Sequence, residues 1–426
     1  MKRTGLFSIF RNRNFRVFSL SQAVSQFGDK LDHVALIAVI GVMAGSSSTA
    51  LAELAVFFTL PVLIFGPVSG ALVDRWSRKK VMVTCDAFRG LLVILIPPVV
   101  FLSGSLWSMY LIVFAVFFMG LFFNNAKMSI IPNMVGQDQL LAANSAATLI
   151  GRIATVAAFF LGDLIVHWKG WNRLRIEGWQ AGFYLDGLTF FISAVALTMI
   201  TVVFRRSTDA DKPGLKNQTF VRMFRRTLVD VREGFKLIMA KREITFVMAS
   251  VVVLTFVGGS VYVLAVPIIQ SELERGAFSY GTLGAIMAVG MVIGSFLYGN
   301  FGHRMRKSTV IIAGFGIIGT FMIVFSMLRS FLVTSGLLII SGMILAPIVI
   351  TQDTLLHEIV PEEIRGRIFG TREWTLNGLF MLSAVVMSLI ANFSSVRITL
   401  RGVGILVFLL AVMGLANRRS FIGNRV

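Results

Sequence analysis

A set of ionisable and polar side chains lies in a stretch of sequence otherwise suited to hydrocarbon. Gln22, Ser25, Gln26, Asp29, Asp32 and His33 fall at i, i+3, i+4, i+7, i+10 and i+11. On a helix they share one face, with Val24, Phe27, Leu31 and Val34 on the other. A charge near the centre of a bilayer costs roughly 2.5–3.5 kcal/mol on insertion scales, so each one needs a reason. Asp29 stands roughly 20 Å, at the helical rise, from the expected inner end of its helix, close to the midplane. A carboxylate there can load and release a proton, which is the chemistry a proton-driven carrier requires. The competing reading is a structural salt bridge with Lys127 or Arg89. Asp32 and His33, a turn further on, could share the proton or bind substrate, and the whole stripe suits a helix lining a water-filled path. Lys30 interrupts the apolar face and must snorkel or pair.

Other charges fall in similarly apolar surroundings. Asp86 and Arg89, at i and i+3, can pair on one helical face as a structural or gating pair. Arg152, Asp163 and Asp186 are cavity or ion-pair candidates, and Lys127 and Arg152 could receive an anionic headgroup. Asp353, His357, Glu358, Arg372 and Glu373, with Pro361 and Arg365, read as an inner gate rather than a substrate pocket. Asp29 and His33 at i, i+4 could also hold a divalent metal. That pair resembles the first span of ferroportin-type iron exporters, but a thiol in span seven and a histidine in span eleven are missing. Neither a metal nor a cofactor is therefore expected.

The elements that must carry these residues follow from composition. Of 426 residues, 56% are hydrophobic and 14% charged, the mean hydropathy is +0.81 and the net charge is +19. Soluble domains are about a quarter charged, so a cytosolic enzyme, a disordered chain and a nucleic-acid binder are all disfavoured. Metal clusters, nucleophile elbows and phosphate loops are not evident, so an enzyme is not expected. Apolar runs of spanning length lie near 15–42, 50–73, 81–103, 106–131, 140–167, 181–204, 244–271, 279–301, 308–329, 331–357, 366–393 and 398–417, each near the ~20 residues needed to cross a bilayer. An all-α membrane protein of twelve transmembrane helices follows. The domains expected are a six-helix bundle over 1–204, a cytoplasmic linker over 205–243 and a second bundle over 244–426. With both termini cytoplasmic, about 28 of the 40 basic residues fall inside and about seven outside, the bias of the positive-inside rule. A multi-pass cell-membrane protein is expected, with an uncleaved first span. Val221, Phe224, Leu228, Val231, Phe235 and Ile238 recur at helical spacing in the linker, opposite Arg and Lys, as in a helix lying on an anionic inner leaflet. Cys85 is the single cysteine and excludes an intramolecular disulfide.

The two halves repeat. Gly70-Ala71-Leu72-Val73-Asp74-Arg75-Trp76-Ser77-Arg78-Lys79-Lys80 follows span two, and the weaker Gly299-Asn300-Phe301-Gly302-His303-Arg304-Met305-Arg306-Lys307 follows span eight. Gly70 and Gly299 stand at the same offset as Pro132 and Pro361, implying a duplicated six-span unit. Gly70 would allow a close helix approach, and the basic residues would anchor to headgroups.

The first string resembles the cytoplasmic loop motif of the major facilitator superfamily, with Ser77 where a second glycine is usual. The resemblance implies two pseudo-symmetric six-helix bundles and a latch formed by Gly70, Asp74, Arg75 and Arg78. Phe27-Gly28-Asp29, Asp86-x-x-Arg89, Ala126-Lys127, Leu141-Ala142-Ala143-Asn144, Glu233-Gly234 and Pro361-Glu362-Glu363-Ile364-Arg365-Gly366-Arg367 together resemble the branch holding macrolide and enterobactin exporters and lysophospholipid transporters. That implies proton-coupled efflux of an amphipathic or hydrophobic small molecule by a monomer, through alternating access. A lysophospholipid facilitator, or a ferroportin-like metal exporter, is the alternative.

Overall fold

The computed structural model describes residues 8–45, 47–73, 76–136, 139–201, 220–272, 280–302 and 305–416. Asp74, Arg75, His303, Arg304 and linker residues 205–219 lie outside them, as do the side chains of Val221, Phe224 and Leu228. Thirteen long helices follow one another among the described residues: α1 (Arg13–Ala44), α2 (Ser48–Val73), α3 (Arg78–Ser103), α4 (Leu106–Met134), α5 (Leu140–Val166), α6 (Gly178–Thr198), α7 (Phe220–Ala240), α8 (Arg242–Glu272), α9 (Tyr280–Phe301), α10 (Lys307–Phe325), α11 (Phe331–Ile359), α12 (Glu362–Phe393) and α13 (Val396–Ala416). Eleven of them are long and apolar enough to cross a membrane. The twelfth spanning helix is α1, 32 residues long and so about 48 Å; Asp29, Lys30 and Asp32 in its middle make it too charged to qualify by composition alone. The remaining helix is α7, in the linker. Local signals set the ends: Ser105 caps α4 by accepting the Trp107 N–H, and Glu177 and Gln180 form a capping box on α6.

The chain divides into two compact units, Met1–Met43 with Phe57–Arg225, and Ala44–Val56 with Arg226–Val426. Each buries backbone against backbone through glycine. In the first, a Cβ on Gly90 of α3 would stand 3.0 Å from the Gly187 carbonyl of α6, and one on Gly187 would stand 2.9 Å from the Gly90 carbonyl. In the second, Gly319 of α10 and Gly404 of α13 face each other in the same way, at 2.7 and 2.8 Å. Gly90 and Gly319 share the offset of the Gly70–Gly299 pair, whereas their partners Gly187 and Gly404 do not, so the duplication read from loops extends to one side of each contact. Gly70 and Gly299 are different among the described residues. A Cβ on either would meet nothing within 4 Å; the close helix contacts run through the span interiors instead, where a missing side chain gains the most packing.

Large apolar side chains such as Phe101, Leu102, Leu332 and Phe393 stand more than three-quarters exposed. Water would penalise such a surface, whereas lipid tails accept it. The start of α2 belongs to the second unit, where the Asn392 Nδ2–H of α12 donates to Thr49 Oγ1 at 3.1 Å. In the same unit α7 packs on α12: Glu233 pairs with Arg367 at 3.1 Å, and Gly234 lies against Thr371.

Candidate functional site

The densest charge lies inside the first unit, around Arg89 of α3. Its guanidinium pairs with Asp29 of α1 and lies 3.6 Å from Asp86 one turn back on its own helix. One face rests on the Phe190 ring of α6, 4.1 Å from the centroid, a cation–π contact strengthened by the dry surroundings. Gly120 of α4 backs the guanidinium. The Arg89 side chain is 7% exposed and that of Asp29 is 32% exposed, so the arginine is enclosed while its partner is partly exposed. Asp86 is fully buried, and accepts the Ser193 hydroxyl of α6 at 2.6 Å.

Two further carboxylates complete the cluster. Asp32, one turn beyond Asp29, is buried, and Asp186 of α6 is fully so. Asp186 acts electrostatically on Asp32, Asp29 and Arg89. Thr189 donates its hydroxyl to the Asp186 carbonyl at 2.7 Å and more weakly to Oδ1 at 3.3 Å. Helices α1 and α6 meet here because residue 28 is glycine: a Cβ there would stand 2.0 Å from Thr189 Oγ1 and 2.1 Å from Asp186 Oδ1. Lys127 of α4 is half-buried and interacts with Asp29, Arg89 and Asp86.

The stripe on α1 does not all line a water path. Gln22, Ser25 and Asp32 are buried, whereas Gln26, Asp29 and His33 are half-buried. At about 100° per residue, Ser25 and Asp32 lie on one flank of the stripe, and that flank is packed into protein. His33 sits between Phe58 of α2 and Phe117 of α4, ring centroids 6.0 and 5.9 Å away, an aromatic slot rather than a charged one. Arg152 is exposed on α5, and no contact among the described residues ties it to the cluster. Arg78 is buried at the start of α3.

The expected inner-gate residues form separate local contacts in the second unit. Arg372 of α12 donates to Asp353 of α11 at 2.6 Å and lies 3.6 Å from Glu373. Glu358 pairs with Lys307 at the start of α10, at 2.5 Å, and the His357 ring lies 4.8 Å from that of Phe369, tilted against it. Arg365 reaches the Val360 carbonyl at 3.5 Å. Phe190, Thr189 and Ser193 carry no such signal, although with Asp186 they recur at i, i+3, i+4 and i+7, one edge of α6 that is polar apart from Phe190. Among the described residues no group of three or more His, Cys, Asp or Glu could hold a metal ion.

A family model described as transmembrane secretion effector matches residues 4–421. The chain belongs to this family of major facilitator transporters. The enterobactin exporter EntS of Shigella boydii serotype 4 is 25% identical over 415 residues, covering 93% of this chain and 92% of that one. The uncharacterized transporter YfiS of Bacillus subtilis is 27% identical over 190 residues, a match that takes in 44% of this chain and 43% of its relative. In fold, a bacterial homologue of the human lysosomal transporter Spinster superposes with a TM-score of 0.70 at 16% identity, over 96% of each chain. The protein is thus a multi-pass membrane transporter for a small molecule, with the family and fold of carriers rather than enzymes.

Proposed function

We propose that this transporter exports an amphipathic or hydrophobic small molecule in exchange for protons moving inward, and that Asp29 is the coupling carboxylate. The observation that carries the reading is the asymmetry of the Asp29–Arg89 pair. Arg89 is immobilised by Asp86, Phe190 and the α4 backbone, whereas Asp29 is one-third exposed. A proton on Asp29 breaks the pair, and its loss restores it, so occupancy of one oxygen changes how α1 is held to α3. Alternating access about a site near the midplane, with both termini cytoplasmic, fits the family's architecture. Residues 1–204 and 244–426 serve as the two moving bundles, and the α7 linker rests on anionic lipid. Export, rather than uptake, rests on similarity to EntS.

The test uses proteoliposomes holding a pH-sensitive dye, challenged with ethidium, a catecholate siderophore and lysophosphatidylcholine. Wild type should couple movement of at least one of these to protons, and Asp29→Asn should abolish the proton signal. Equal proton flux in the two proteins would remove Asp29 from the mechanism. Lysophosphatidylcholine movement without proton movement would replace the exchanger with a lipid facilitator.

A further inference from the structure

Coupling through Asp29 alone uses one of the four carboxylates gathered around Arg89, and two of the others are buried without matching cations. Asp32 is 5% exposed and Asp186 is 0% exposed. Each has a carboxylate oxygen, Asp32 Oδ1 and Asp186 Oδ2, buried with no hydrogen-bond partner; Asp86 Oδ1 is buried likewise, but that carboxylate has Arg89 at 3.6 Å and the Ser193 hydroxyl beside it. The Asp186 carboxylate lies directly against Gly28 of α1, one helical turn from Asp32 on the same face. The facing groups can be named element by element. Helix α1 supplies Asp29, Lys30 and His33; α3 supplies Asp86 and Arg89; α4 supplies Lys127. Helix α5 presents Gly151 and Gly162 to this part of α1, and α2 presents Phe58.

Charge balance then constrains protonation. Four carboxylates, Asp29, Asp32, Asp86 and Asp186, face Arg89, Lys127 and Lys30, with His33 held between apolar rings. Arg89 is committed to Asp29 and Asp86. Even with both half-buried lysines counted, one negative charge remains over in a site where an unpaired ion costs several kcal/mol. We infer that Asp32 and Asp186 hold one proton between them at neutral pH, forming a second proton-binding site one turn behind Asp29. This deepens the coupling reading above and rests on it for its role in transport.

The site gives Asp29 a balanced exchange. When the O–H of the Asp32–Asp186 site breaks and an O–H forms on the Asp29 carboxylate, the negative charge passes from Asp29 to the buried pair. No other reactant is consumed, and the charge facing Arg89 is kept. Helix α1 then loses the Asp29 contact, while Asp86 stays 3.6 Å from the guanidinium.

Infrared difference spectroscopy of the purified, lipid-reconstituted protein in H₂O and D₂O reads this directly, because a protonated carboxyl has its own C=O band. Wild type at neutral pH should show one such buried band. Asp32→Glu and Asp186→Glu, which keep the carboxyl, should each shift its frequency, and Asp29→Glu should not. Asp32→Asn and Asp186→Asn should abolish it. Asp29→Asn, imitating a protonated Asp29, should weaken it at least severalfold although the carriers are intact. Absence of the band in wild type, or a band unmoved by both Asp32→Glu and Asp186→Glu, overturns the site. The spectrum needs no substrate, so these results leave Asp29 coupling standing; a band present in a protein that moves no protons overturns the coupling alone.

Discussion

Arg89 shows how much at this site depends on which residue an arginine meets. Its neighbour in sequence is Asp86, and the i, i+3 spacing makes that contact legible in advance. The decisive partner, Asp29, is 60 residues away on another helix, and no helical periodicity specifies which face of α1 turns toward α3. The same holds for Phe190, whose ring supports the guanidinium from α6. Lys127 was an equally plausible partner on paper, and its cation does act on Asp29, but the fork of Arg89 makes the contact. Removing Arg89 would strand two carboxylates, the partly buried Asp29 and the fully buried Asp86. Arg89→Ala should therefore cost about 3–5 kcal/mol, the penalty for breaking a buried pair from one side. Thermal melting in detergent should show a large drop in Tm, with Asp29→Asn showing a much smaller one. Near-equal melting of wild type and Arg89→Ala would mean the carboxylates are neutral without it.

At the scale of helices, what was legible was length and hydropathy, and what was not was where two helices touch. The amphipathic repeat in the linker does become α7, but its seat on α12 depends on Gly234 and Thr371, which have no mark in the repeat. The Glu233–Arg367 pair beside it has both side chains about half exposed, so it contributes about 0.2–1 kcal/mol at most. Overpacking at the glycine costs about 1–3 kcal/mol, since a Cβ on Gly234 would stand 1.9 Å from Thr371 Oγ1. Gly234→Ala should thus loosen α7 more than Glu233→Ala, read as faster protease cleavage within the linker; the reverse order would give the ion pair the leading role.

The end of α5 carries a pH-sensitive contact. His167, just past the last turn, places Nδ1 3.2 Å from Asp163 Oδ1 and 3.0 Å from its carbonyl, and the hydrogen bond to Asp163 holds the imidazole above its ordinary pKa of 6.5. A raised value means the stabilisation is full below about pH 6.5 and fades as pH rises through the folded value. His167→Gln should therefore melt below wild type at about pH 5.5 and match it at about pH 9. A deficit that grows with pH would contradict the assignment.

Across the whole molecule the duplication is written in both sequence and packing, and the chemistry departs from it. At the repeat offset from Asp29, Asp86, Arg89 and Lys127 stand Gly258, Phe315, Ile318 and Leu356. Among the described residues the second unit lacks the buried charge of the first, and its own Asp353–Arg372 pair arises elsewhere on the fold. Twelve spans and two halves were readable because lipid imposes length and hydropathy on each helix separately. Assignment of residues 44–56 to the second unit was not, because it depends on contacts such as Thr49 with Asn392 rather than on any property of the segment.

The facing glycines have a practical use. Carbonyls that close on opposing Cα atoms leave no room for one helix to slide along the other, so α3–α6 and α10–α13 are rulers of fixed length. Leu91 and Leu188 flank the first weld and are both about half exposed, so they are accessible to spin labels. Electron–electron resonance between labels at these positions should give one narrow distance that holds constant from pH 5.5 to pH 8.5 and with or without substrate. Against that built-in standard, any other labelled pair that changes can be read as true motion.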